Sequence, residues 1–135
     1  MNRREARETA FALLYERIFQ EGETPELQYG AALELRDLED DQYMREVYLG
    51  VIENLEDLDE KIISYSGSWS IARMSKITRT ILRLSTYEML YRTDIPYNIS
   101  INEAIELAKK YEDEKAPAFI NGILNAIATN EGLKD

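Results

Sequence analysis

Two carboxylates and two ammonium groups crowd into one short stretch, SINEAIELAKKY (residues 100–111), in which Glu103 and Glu106 stand three residues apart and Lys109 and Lys110 follow. On a helix that spacing puts both carboxylates on one face, where they could share a proton or hold a hard divalent cation. The rest of the chain offers them little help, because it contains no His and no Cys. Without imidazole there is no Ser-His-Asp triad, no Glu-x-x-His ligand pair and no general base titrating near neutrality. Without thiolate there is no tetrahedral zinc site and no disulfide framework. Two carboxylates alone make a weak Mg or Ca site, so the plainer reading is a solvated helix surface. No catalytic residue, cofactor or metal is assigned, and the chain reads as a non-enzyme.

The sharpest local signal is instead the arginines near the start of the chain. In NRREARETAFALLY (residues 2–15), Arg3, Arg4 and Arg7 fall within roughly a quarter turn at ~100° per residue, along the direction of Phe11, Leu14 and Ile18. An unpaired buried arginine is costly, so a stripe that keeps its direction predicts a first helix whose opening turns project beyond the core and meet a partner. A frayed, solvated helix start is the alternative. A second basic row, Lys76, Arg79 and Arg83, follows the spacing i, i+3, i+7. Arg83 is expected to pair with the acidic segment, whereas Arg73, Lys76 and Arg79 are candidates for an outward patch. Were the ligand a single-stranded RNA, aromatics such as Tyr15, Tyr65 or Phe119 could stack on its bases, although each of them fits a core place better than a stacking platform.

These side chains need helices to position them, and nearly every segment has helical periodicity. Phe11, Leu14, Tyr15 and Ile18 predict a helix over residues 6–19, ended by Gly22. Thr24 and Pro25 supply an N-cap and a first-position proline for a second helix, to about Leu35. A single long third helix is expected from Asp41 to Tyr65 through Val47, Val51, Leu55, Leu58 and Ile62. Residues 69–73 form a short turn. A helix over residues 75–92, apolar on two sides, is expected at the centre of its neighbours, and Asp94-Ile95-Pro96 breaks it. Ser100 and Glu103 have the spacing of a capping box. Ala104, Leu107, Ala108 and Tyr111 make its buried stripe, and Glu106 is placed to pair with Lys110. A last helix after Pro117 buries Ile120, Ile123, Leu124 and Ile127, with Gly122 allowing a close helix contact.

At 135 residues and 44% apolar content, one domain with a real core is expected. It is all-α, with about seven helices in two small bundles, a first over about residues 1–67 and a second over about 68–135. No apolar run approaches the ~18 residues that span a bilayer, and the charged N-terminus has no signal core, which suggests a soluble cytoplasmic protein without membrane contact. The net charge of −10 argues against nucleic acid, but it is unevenly spread. Acids crowd residues 21–60, opposed there only by Arg36 and Arg45, whereas residues 61–87 hold Lys61, Arg73, Lys76, Arg79 and Arg83 and no acid.

Taken together, RREARETAFALLY, the Trp69–Arg73 region followed by RTILRLSTYEMLYRTDIPY, SINEAIELAKKY and FINGILNAI resemble the NusB family of bacterial transcription antitermination factors across nearly the whole chain. The resemblance implies a non-enzymatic fold of two helical bundles. Its expected ligand is the boxA element of ribosomal-RNA leader transcripts, bound jointly with NusE, a small-subunit ribosomal protein, in the RNA polymerase antitermination complex. The family's arginine-rich first helix matches Arg3, Arg4 and Arg7, and its RNA path is expected to pass Tyr65, Lys76 and Arg79, with Lys115 and Phe119 closing it. Glu5 and Glu8 dilute the arginine cluster relative to many members. An acidic adaptor with little RNA affinity of its own therefore stands as the second reading, and homo-oligomers are left open. The helical domain of ribosomal-RNA cytosine methyltransferases is related, but this chain has neither a glycine-rich nucleotide loop nor a cysteine nucleophile.

Overall fold

The computed structural model describes residues 1–20 and 22–134, and among them are seven α-helices, one 3₁₀ turn and no strand. The helices are α1 (Arg3–Arg17), α2 (Pro25–Arg36), α3 (Gln42–Glu53), α4 (Leu55–Ser64), α5 (Lys76–Tyr91), α6 (Tyr97–Tyr111) and α7 (Ala116–Asn130), with the 3₁₀ turn at Ile71–Arg73. They fall into two compact units, Met1–Glu53 and Asn54–Asp135.

In the first unit α1 begins earlier than its large apolar residues suggest, because the Asn2 side chain accepts the Glu5 N–H at 2.8 Å and caps it. Its buried side is built on Ala6, Ala10, Leu13 and Leu14 beside Phe11, while Tyr15 and Ile18 are only half-buried. Alanines let α1 lie close against α3, which presents Tyr43, Met44, Val47, Tyr48 and Val51. Helix α2 has the expected Thr24 cap and first-turn proline and is anchored through Tyr29, whose hydroxyl donates to Asp40 Oδ1 at 2.7 Å. Arg45 donates to Asp40 Oδ2 at 2.9 Å and lies 5.1 Å from the Tyr29 ring.

The single helix expected from Asp41 to Tyr65 is two. Asn54 leaves the helical region at φ −106°, ψ 20°, and its carbonyl accepts the Leu58 N–H at 2.9 Å to open α4. Glu56 and Asp57 then occupy the first turn, where the helix dipole favours anions. Apolar spacing of three and four survives so short a break, which is why periodicity alone runs through it. The boundary between units accordingly lies at Glu53 and Asn54, ahead of the junction near residue 67 expected from sequence, because α4 packs on α5 and α7.

In the second unit α5 packs against α4, α6 and α7, with Ile81, Leu82 and Leu84 fully buried, as its two apolar sides require. Ser75 caps it, accepting the Thr78 N–H at 3.0 Å. Helix α6 departs from expectation at its start. It begins at Tyr97, directly after Pro96, so Ser100 lies one turn inside and is buried, with no partner for its hydroxyl among the described residues. There is thus no Ser100–Glu103 capping box. Ala104, Leu107 and Ala108 are buried but Tyr111 is exposed, and Glu106 lies 3.8 Å from the Lys109 ammonium. Helix α7 buries Ile120, Ile123, Leu124 and Ile127 as expected. Gly122 faces open space and makes no close helix contact.

Candidate nucleic-acid interface

In the first unit Arg3 and Arg7 lie against Tyr43. The guanidinium of Arg3 lies 4.3 Å from the centre of the Tyr43 ring and that of Arg7 lies 5.6 Å from it. Tyr43 is buried, and Arg7 is only 5% exposed. A freely projecting arm is therefore ruled out at Arg7: the helix starts at Arg3, so Arg7 already sits in its second turn, flanked by buried Ala6 and Ala10. Arg3 and Arg4 are exposed at the first turn. Tyr15 is half-buried, its ring edge-on to Phe19 with centroids 5.3 Å apart, so it presents a partial face at most.

In the second unit the 3₁₀ turn and the start of α7 enclose an open groove of about 420 Å³. Trp69, Arg73, Met74, Lys115, Ala116 and Phe119 form much of its wall. Trp69 is 44% exposed despite its size. Its ring meets Phe119 edge-on at 6.2 Å, and the Arg73 guanidinium lies 5.0 Å from its centre. A flat apolar face beside a fixed cation is the arrangement that holds an unstacked base next to its phosphate. Lys115 is exposed at the N-terminus of α7. The Asp113 carboxylate caps that helix, accepting the Lys115 and Ala116 N–H groups at 2.9 and 3.2 Å. Glu112 on the same rim accepts the Ser75 hydroxyl. The lining thus mixes aromatic faces and the cations of Arg73 and Lys115 with the carboxylates of Glu112 and Asp113.

The other nominated residues divide. Lys76 is exposed at the first position of α5. Tyr65 is half-buried at the end of α4. Arg79 is no part of an outward patch: its guanidinium turns back to donate to the Met74 carbonyl at 3.0 Å and the Ala72 carbonyl at 3.4 Å, so it braces the 3₁₀ turn. Arg83 makes the expected acidic contact, a two-pronged pair with Asp59 at 2.8 Å for each bond. Sequence reasoning named Lys115, Phe119 and Arg73 but did not name Trp69 as a site residue. The available signal was the chain's one tryptophan lying in the polar run SGSWS, a setting unlike a core strip.

The chain is similar to known proteins along nearly its whole length. The NusB family model matches residues 4–129. The transcription antitermination protein NusB of Thermoanaerobacter sp. (strain X514) is 44% identical over all of this chain and 96% of its own length. That of Geobacter sulfurreducens is 44% identical over 94% of each. Among solved structures, T. maritima NusB superposes with a TM-score of 0.86 at 37% identity, covering 96% of this chain and 92% of that one. NusB in a crystal structure of the antitermination factors NusB and NusE with double-stranded RNA superposes with a TM-score of 0.82 at 29% identity, over 95% and 96% of the two chains. With identity and fold agreeing along almost its full length, the chain belongs to the NusB family.

Proposed function

We propose that this chain is a cytoplasmic transcription antitermination factor that binds single-stranded boxA RNA of ribosomal-RNA leader transcripts jointly with NusE, within the RNA polymerase antitermination complex. The observation that carries this reading is the likeness over nearly the whole chain to a NusB solved with NusE and RNA. The groove of the second unit supports it, with Trp69 and Phe119 as stacking surfaces and Arg73 and Lys115 as phosphate contacts. Arg3, Arg4 and Lys76 supply further exposed charge, and Tyr15 and Tyr65 are marginal contributors.

The test is a titration of labelled boxA-type RNA into the protein alone, NusE alone and the two together. NusE should raise RNA affinity, and by linkage RNA should raise NusE affinity by the same factor. Equal RNA affinity with and without NusE would sink joint binding. The net charge of −10 and the burial of Arg7 favour the second reading, an adaptor with little RNA affinity of its own. That reading gains if this chain adds nothing to the RNA affinity of NusE while still binding it.

A further inference from the structure

The first unit exposes an apolar surface that its own core does not need. Helix α2 turns Tyr29 inward, with Ala32 and Leu33 half-buried beside it, while Leu27, Ala31 and Leu35 form an outward row at the spacing i, i+4, i+8. Leu27 is 63% exposed and Leu35 88% exposed. Between this row and the last turn of α1 runs an open groove of about 560 Å³, with Ala31 and Ala32 along its length and Phe19 and Leu35 as bulky side chains lining it. Phe19 is itself 59% exposed. Small residues between large ones leave room for a partner's bulky side chain, the geometry of helix-in-groove docking.

The charge around the groove narrows the choice of occupant. Glu23 lines it, and Glu34 is exposed on α2 beside the leucine row. The one basic residue of the lining, Arg36, is an ion-pair partner of Glu16 across the groove. Phosphate is repelled here, and a second copy of this chain would bring the same carboxylates against each other. An apolar row edged by carboxylates complements a helix with leucine-like residues on one face and Lys or Arg beside them.

We propose that the α1–α2 groove is a docking site for a basic amphipathic helix of a protein partner, with its apolar side chains received by Phe19, Ala31 and Leu35 and its cations by Glu23 on the groove and Glu34 beside the leucine row. The proposal does not depend on RNA binding, which is assigned to other residues. The probes are two synthetic helical peptides with leucines on one face and either lysines or glutamates on the other, added to the full-length ¹⁵N-labelled protein. The lysine peptide should shift the amides of α2 and the last turn of α1 saturably, and the glutamate peptide should not. Because Leu35 is exposed, Leu35→Ser should leave the fold intact, as its own spectrum reports, and weaken the lysine peptide by about tenfold or more. Glu23→Gln/Glu34→Gln should weaken it less and make binding less sensitive to salt.

Four results would overturn the assignment: lysine-peptide shifts centred on other acidic residues such as Glu53, Glu56 and Glu60; equal binding of both peptides; an unchanged affinity in Leu35→Ser; or shifts of the α2 amides by single-stranded RNA or by self-association on concentration.

Discussion

Arg3, Arg4 and Arg7 look alike in sequence but stand in different places, and they should separate on substitution. Arg7 is buried beside Tyr43, so Arg7→Ala should lower stability by about 1–3 kcal/mol, in the range for lost buried contacts. Arg4→Ala should change it by less than about 0.5 kcal/mol, and Arg3→Ala by up to about 1 kcal/mol through its exposed contact with the Tyr43 ring. If Arg3 and Arg4 meet phosphates, each substitution should flatten the slope of log affinity against log salt by about 0.7. Thermal melts beside RNA titrations at several salt concentrations check both halves. The Tyr29–Asp40 pair carries a pH prediction. Burial, and then the hydrogen bond to Asp40, push the Tyr29 phenol far above its ordinary value of 10.0, while that hydrogen bond, and then Arg45, hold the Asp40 carboxylate below its ordinary 3.8. A raised phenol contributes stability that is complete below its unfolded value and lost as pH climbs through the folded one. A lowered carboxylate contributes stability present above its unfolded value and lost as pH falls through the folded one. Tyr29→Phe should therefore lower the melting temperature at neutral pH and flatten the decline above about pH 10. A residual decline should remain from Tyr48, which burial also raises. An unchanged alkaline profile would show that the pair contributes nothing.

The helix ends carry the element-scale test, because Ser75 caps its helix whereas Ser100, which spacing makes a cap, does not. Ser75 accepts a backbone N–H at the start of α5, so Ser75→Ala should cost about 1 kcal/mol. Ser100 is a turn inside α6, buried, with its hydroxyl unsatisfied among the described residues. Ser100→Ala removes a polar group that gains nothing and adds helix propensity, so it should be neutral or stabilising by up to about 1 kcal/mol. Denaturant midpoints of the two variants decide the matter, and a loss at Ser100 as large as that at Ser75 would restore the capping box. The same helix shows why the motif misleads: Pro96 ends one segment and, lacking an N–H, is also compatible with the start of the next, so α6 begins three residues before its Ser-x-x-Glu signal.

For the whole molecule, the absence of His and Cys from the sequence and of any cluster of three acidic ligands among the described residues predicts indifference to metals. EDTA, or micromolar Zn or Mn, should move the melting temperature by no more than about 1 °C, and a rise of several degrees would reveal a site that the side chains do not suggest. No helix among the described residues is long and apolar enough to cross a membrane.

Local pattern was enough to determine the helical class, the Thr24 cap, the central place of α5 between its neighbours and the Arg83 pair with an acidic segment, since each depends on residues a few positions apart or on gross charge segregation. The motifs shared with the family, spread over nearly the whole chain, were legible for the same reason. Tertiary structure alone decided the rest. Periodicity could not see the break at Asn54, because one non-helical residue barely shifts the apolar phase. Nor could it see that α1 buries alanines, and so brings Arg7 onto Tyr43, because small residues pack by backbone proximity and leave no hydrophobic signal. Trp69 came to line a groove with Phe119 only when residues fifty positions apart in sequence, at the 3₁₀ turn and in α7, were brought ring edge to ring face. Arg79 was withdrawn from the expected outward patch by folding back onto two carbonyls whose positions no spacing rule encodes.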